Sequence, residues 1–420
     1  RFYAIPRKPK RRMTNPARIC IQILLLLCLA HFTVDIIATT ILPLLPTMEQ
    51  QMELQREGFL YGYIIWRITD SCSQMAFGFL GDRYRIRFII WAGPLLAFLC
   101  FSVIGYVESP AVMVTLLVLG GIGIAAFHPE CAATAGNLSP DNRSRFMAMF
   151  ALSGYLGQSI GPIYAGSISD AFALKGLIWN FAWGLPILLI VTLGMRRVYT
   201  KLETQTAPPV LPDTLPSVPL QIREMCLLFT SGIFRVMPVL GIPIVLSYLL
   251  ADNEFSDTDK GAVASVFMAG LGIGGISCAL GIGRNHQRLI LWLPPLLATV
   301  PVVAIGYVDL VPWIRLTNAL SLGPMHILAL IIGILQGIAM PVFISFAQQL
   351  MPDRQRLASS LTMGVTWGTA TLIFYAAFSI FKSNGNPQWI YWFFGTACLL
   401  SAITSFLLRP LNNNTECVGD

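Results

Sequence analysis

Two short groups of ionisable residues interrupt long apolar runs of this chain. His31 and Asp35 stand four residues apart in the first run, on one face of one helix. The stretch Phe127-His128-Pro129-Glu130 breaks a second run, from Met113 to Ala135. Ionisable groups in hydrocarbon are expensive, so they are functional candidates, as proton carriers or as solute contacts. Pro129 removes a backbone donor and bends its helix where those groups need partners. Asp35 or Glu130 is the expected proton carrier, with His128 and His31 as relay or contact. A carboxyl beside a histidine or an arginine can change its proton affinity as these neighbours are rewired. The bland alternative is a static buried pair that ties two helices together, with His128 a structural histidine at the kink. Arg235, about ten residues into a later apolar run, wants an anionic solute or a carboxylate such as Asp35. Arg67 and Asp70, three apart, are expected to form an ion pair.

The elements that position these residues follow from composition. Only 12% of the 420 residues are charged and the mean hydropathy is +0.67. A soluble domain carries about twice that charge, so the chain reads as an all-α polytopic membrane protein. Apolar runs of helical length fall near 19–45, 58–80, 88–107, 111–136, 146–170, 177–195, 225–250, 261–282, 288–308, 324–350, 357–381 and 388–408. They predict twelve transmembrane helices. The first run is too long for a signal peptide, and the basic segment 1–18 before it reads as a cytoplasmic anchor.

Lys and Arg concentrate in that segment and in alternate loops, at Arg83, Arg85 and Arg87, at Arg143 and Arg145, and at Arg196, Arg197 and Lys201, and again at Arg284, Arg288, Arg354 and Arg356. The intervening loops hold only Arg56, Lys175, Lys260, Arg315 and Lys382. This bias puts both termini in the cytoplasm, in the inner or plasma membrane. The net charge of +7 is therefore a topology signal and not a nucleic-acid footprint. Segment 198–222 is polar and proline-rich, a semi-rigid linker between helical units 19–197 and 223–409, with 410–420 a cytoplasmic tail. The halves resemble each other: Phe127-His128-Pro129 through Pro140-Asp141 matches Ala339-Met340-Pro341 through Pro352-Asp353. Parallel repeats of this kind place a solute site at the midplane between two pseudo-symmetric six-helix bundles.

Gly78-Phe79-Leu80-Gly81-Asp82-Arg83-Tyr84-Arg85 resembles the loop signature of the major facilitator superfamily. The resemblance sharpens to its fosmidomycin-resistance branch through His31-x-x-x-Asp35 with Leu42-Pro43-Leu44-Leu45, through Phe127-His128-Pro129-Glu130, and through Gly154-x-x-Gly157 with Ser159-Ile160-Gly161-Pro162. Ala347-Gln348-Gln349-Leu350-Met351-Pro352 is similar to the end of that branch's tenth helix. The resemblance is dense over about 25–165 and thins towards the second half. It implies the major facilitator fold and a proton-driven exporter of small, often drug-like or anionic compounds. It also implies that spans 1, 4, 7 and 10 line the cavity, which brings Asp35 and His128 together with Arg235, Gln336 and Met340 as solute contacts. Gly78, Asp82, Arg83, Arg85 and Arg145 are expected to form a cytoplasmic gate latch. The second-half copy has Ile282-Gly283 where Asp82 stands in the first, so a latch there should be weaker.

Other chemistry is poorly served. No H-E-x-x-H occurs, no serine sits in a strand-turn-helix setting, and His31-x-x-x-Asp35 is one residue short of acyltransferase spacing, so no enzyme is expected. No nucleotide motif is present, and the proton gradient is the expected energy source, with no cofactor. The nine cysteines show no metal spacing and read as small apolar fillers, most of them in or beside apolar runs. The alternative reading is a divalent metal exporter whose ligands are His31, Asp35, His128 and Glu130. The expected partners are a small solute or ion, protons and the bilayer, and nothing demands more than a monomer.

Overall fold

A computed structural model describes residues 16–53, 56–84, 88–138, 143–203, 221–281, 286–310, 314–315, 321–351, 354–383 and 388–409. Twelve long helices run through these residues. They are α1 Pro16–Thr39, α2 Arg56–Arg83, α3 Ile89–Val103, α4 Pro110–Asn137, α5 Arg143–Phe172, α6 Asn180–Glu203, α7 Ile222–Asp252, α8 Asp257–Gly281, α9 Gln287–Ala304, α10 Pro324–Leu350, α11 and α12 Trp389–Phe406. α11 is a composite of Gln355–Ser360, a π-turn over Leu361–Val365, and Thr366–Ser383. A single helical turn, Leu42–Leu44, and a short helix, Leu45–Gln51, continue α1. The β-structure described is a two-residue antiparallel pairing, Ile314–Arg315 with Ser321–Leu322, between α9 and α10.

Ten of these helical stretches are long and apolar enough to cross a bilayer. α2 and α5 fall short, and their sequences give the reason. α2 carries Arg67, Asp70 and Gln74, and α5 carries Tyr155, Gln158 and a run of glycines and serines, on faces turned to other helices and to a central cavity. α6 continues to Glu203, beyond the boundary expected at 197, because its polar last turns go on as helix past the apolar run.

Packing follows the amphipathic pattern inverted for lipid. Leu25, Leu189 and Val300 lie on the outer surface, while Phe98, Phe101, Phe127, Phe267, Phe343, Phe374 and Phe394 are fully buried. Lipid is as apolar as leucine, so dispersion between close-packed helices, more than expulsion of water, holds such an assembly together. α1 packs on α5, and α4 on α2 and α3; in the second half α8 packs on α10, and α12 on α7 and α9. The main contacts between halves are α5 on α8 and α2 on α11; the extension of α1 adds contacts with α7 and α8, and α4 meets the start of α11. Between them lies a cavity of about 610 Å³. Alternate helices run in opposite directions, so one end of the molecule carries both Pro16 and Phe406. This is called the terminal end, and the opposite one the far end.

Candidate functional site

The cavity wall is built chiefly from α1, α2, α4, α5, α7, α8, α10 and α11. His31 and Asp35 lie one turn apart on α1 and both face it. Opposite them Pro129 lies inside the continuous helix α4, and the His128 ring folds back so that Nδ1 lies 2.9 Å from the carbonyl oxygen of Ile124. His31 stacks on Phe150 of α5, with ring centroids 4.1 Å apart, and its Nδ1 lies 2.9 Å from the Phe150 carbonyl. A carbonyl oxygen only accepts, so both Nδ1 atoms carry hydrogen. That assignment leaves both Nε2 atoms for Asp35. His128 Nε2 is 3.1 Å from Oδ1, and His31 Nε2 is 3.3 Å from Oδ2. Gln158 of α5 donates its side-chain N–H to Oδ2 at 2.8 Å.

A buried carboxylate met by two imidazole nitrogens and one fixed amide donor is an arrangement that can hold and hand on protons. The surrounding backbone leaves little slack. Gly154 lies on α5 one turn before Gln158, and a Cβ there would collide with His31 and with Asp35 Oδ2. Only glycine lets α5 come this close to the polar face of α1.

Glu130 does not join the group. It is buried but absent from the cavity wall, two residues from His128 and so on another side of α4. The four-residue metal set therefore reduces to His31, Asp35 and His128, whose nitrogens already touch the carboxylate directly.

The second half contributes Arg235, Gln336 and Met340 to the same wall. The Arg235 guanidinium lies 4.7 Å from the centre of the Phe343 ring, and Nη2 points at the Met340 sulfur at 3.0 Å. Among the described residues no carboxylate pairs with it. Gln336 is fully buried and donates to the Cys398 sulfur at 3.1 Å, leaving its oxygen without a partner among the described residues.

Arg67 pairs with Asp70 at 3.1 Å, and Gln74 donates to the other carboxylate oxygen at 3.3 Å. The Arg67 guanidinium also lies between Trp66 and, across the halves, Trp367, at 5.7 and 5.8 Å. Of the expected gate, Gly78 is buried in α2. Asp82 and Arg83 end α2 and Arg145 lies in the first turn of α5, with side chains outside the described residues; Arg85 lies outside them entirely. Phe150, Tyr155, Gln158 and Trp367 are wall residues that the sequence reading did not single out. For Gln158 the signal is weak: it lies one turn after Gly154 on a helix rich in small and polar residues.

A helical membrane protein with a mainly apolar cavity between two sets of helices, into which one set brings Asp35 and Asp70 and the other Arg235, is built as a carrier of solutes. The chain matches the Major Facilitator Superfamily over residues 27–374 and belongs to that family. It is 23% identical over 410 residues to the fosmidomycin resistance protein of Escherichia coli strain K12, with 94% of each chain covered. It is 24% identical over 177 residues to a protein of Lactococcus lactis named multi-drug resistance efflux pump PmrA homolog, covering 38% of this chain and 44% of that one. The protein is thus a multi-pass membrane transporter, similar to proteins of drug resistance and efflux.

Proposed function

We propose that the protein is a secondary transporter that exports a small drug-like or anionic solute in exchange for protons. The observation that carries this reading is the Asp35 carboxylate, held by His128, His31 and Gln158 on the wall of the central cavity. Asp35 is the proton carrier, and His128 and His31 pass protons to and from it. Arg235, with no carboxylate partner among the described residues, receives the anionic part of the solute, with Gln336 and Met340 beside it. Twelve transmembrane helices form two six-helix bundles, the first ending with α6 at Glu203 and the second starting with α7 at Ile222, joined by the segment between them. The two bundles rock about the cavity, with the terminal end in the cytoplasm of a cell whose inner or plasma membrane holds the protein. Gly78, Asp82, Arg83, Arg85 and Arg145 gate that end. The proton gradient supplies the energy, and no cofactor takes part.

The test is proton flux in proteoliposomes with an imposed pH gradient. Fosmidomycin, a lipophilic cation and a divalent metal are added in turn to wild type and to Asp35→Asn. Dissipation of the gradient by a drug, lost in Asp35→Asn, supports the reading. Dissipation that survives in Asp35→Asn removes the carboxylate from the mechanism, and flux with the metal alone removes drug exchange.

A further inference from the structure

At the far end, α5 and α8 meet in a polar joint that spans the two halves of the chain. The first amides of any α-helix have no partner inside the helix. In α8 two of them are capped from elsewhere. The Asp170 carboxylate, in the last turn of α5, accepts the backbone N–H of Asp257 at 3.0 Å and that of Thr258 at 2.9 Å. It also accepts the Thr258 hydroxyl at 2.5 Å. An anion here answers the partial positive charge of the helix start as well as its free donors.

Behind this cap sits a second, buried set of contacts. Asp257 accepts the Ser169 hydroxyl of α5 at 2.5 Å and the Thr47 hydroxyl, beyond α1, at 2.6 Å. It also forms an ion pair with Lys260, one turn along α8, and Lys260 donates to the Thr47 hydroxyl at 3.3 Å. Asp257 and Lys260 are both more than nine-tenths buried. The backbones touch as well: a Cβ at Gly166 would strike the Asp257 carbonyl, and one at Gly261 would strike the carbonyl of Pro162. A Ser265 hydroxyl accepts the backbone N–H of Ile163 at 2.9 Å.

All these partners lie on opposite halves except Lys260 with Asp257. These contacts join the halves here, and parting the halves at this end would break them while leaving each half intact. Contacts present in one state and absent in the other are what set the balance between states. None of the residues touches the cavity. We propose that Asp170, capping α8 across the halves, together with the Asp257–Lys260–Thr47–Ser169 cluster, is the latch that holds the far end closed. Its strength fixes how readily the carrier opens on that side. The proposal rests on the alternating-access part of the functional reading and on neither protons nor solute.

The experiment places spin labels at Lys175 and Asn253, exposed residues just beyond α5 and α7, in full-length protein in proteoliposomes. Electron double resonance then reads the distance across the far end. Asp170→Asn keeps the size of the side chain but weakens the cap, and Thr47→Val removes a hydroxyl at almost constant volume. Loss of one cap shifts a balance by about 2- to 30-fold. The expected result is a several-fold larger long-distance population in either variant. Ser231→Ala, which cuts a buried hydroxyl knot between α7 and α12 inside one half, should leave the distribution as in wild type. Distributions unchanged in both Asp170→Asn and Thr47→Val overturn the latch. No pH gradient or solute enters the measurement, so it can fail while proton exchange stands, and the reverse.

Discussion

Gln158 donates to Asp35 at 2.8 Å, and of the three described side chains that bond or pair with that carboxylate it is the one that cannot itself carry a proton. The bond fixes one carboxylate oxygen beside the two imidazoles. A hydrogen bond to a charged acceptor is worth about 1.5–3 kcal/mol. Replacing Gln158 by leucine removes that bond and keeps the volume. The expected outcome is a fall of about tenfold or more in gradient-driven transport, with the melting temperature in detergent little changed. Transport at wild-type rates in Gln158→Leu would show that the bond is incidental.

The glycine one turn earlier makes a sharper steric prediction. Gly154→Ala sets a methyl group against His31 and Asp35 Oδ2. Overpacking of this kind costs about 1–3 kcal/mol, and here the neighbours that must yield are the ionisable groups themselves. A lower melting temperature together with loss of coupled transport is expected. Gly272→Ala, which meets the Tyr155 side chain and not the His31–Asp35 pair, should keep a larger share of the activity. Equal activity in the two variants would count against direct contact at Gly154.

The two carboxylates of the sequence reading can be told apart. Residues two apart on a helix point about 200° from each other, so Glu130 and His128 cannot share a face. Asp35 touches both histidines, whereas Glu130 lies off the cavity. Glu130→Gln is therefore expected to retain proton-coupled flux, and Asp35→Asn to lose it. Flux measured by a pH-sensitive dye inside proteoliposomes decides between them, and the reverse pattern would move the proton site to Glu130.

This contrast also marks what the sequence could tell. His31 and Asp35 were legible because a four-residue spacing in an apolar run has one geometric meaning. His128 was legible because a histidine beside a proline in hydrocarbon has few idle uses. Glu130 was grouped with it by closeness along the chain, which helical rotation undoes. Gln158 gave little contrast: an amide on a helix of glycines and serines looks like any polar residue until α5 is seen lying against α1. The far-end joint was silent for another reason. Thr47, Ser169, Asp170 and Asp257 sit at helix ends, where polar residues are ordinary, and only the tertiary fold brings them together. The same logic explains α2 and α5, too polar to qualify as spans by hydropathy because their polar faces are turned inward to the cavity and the other half.

Arg235 gives a prediction in which stability and function move apart. Its guanidinium is buried against Phe343 and Met340, and among the described residues it has no carboxylate partner and its Nε no hydrogen bond. Such a charge is costly to the folded protein, and removing it relieves that cost. Arg235→Met replaces the stem with apolar volume beside a methionine already in place. The melting temperature should equal or exceed that of wild type, while binding of an anionic probe such as fosmidomycin falls by tenfold or more in titration calorimetry. A lipophilic cation should bind at least as well as before, because the wall has lost a positive charge. A marked fall in stability would mean that the guanidinium has a structural partner, and unchanged anion binding would place the solute elsewhere in the cavity.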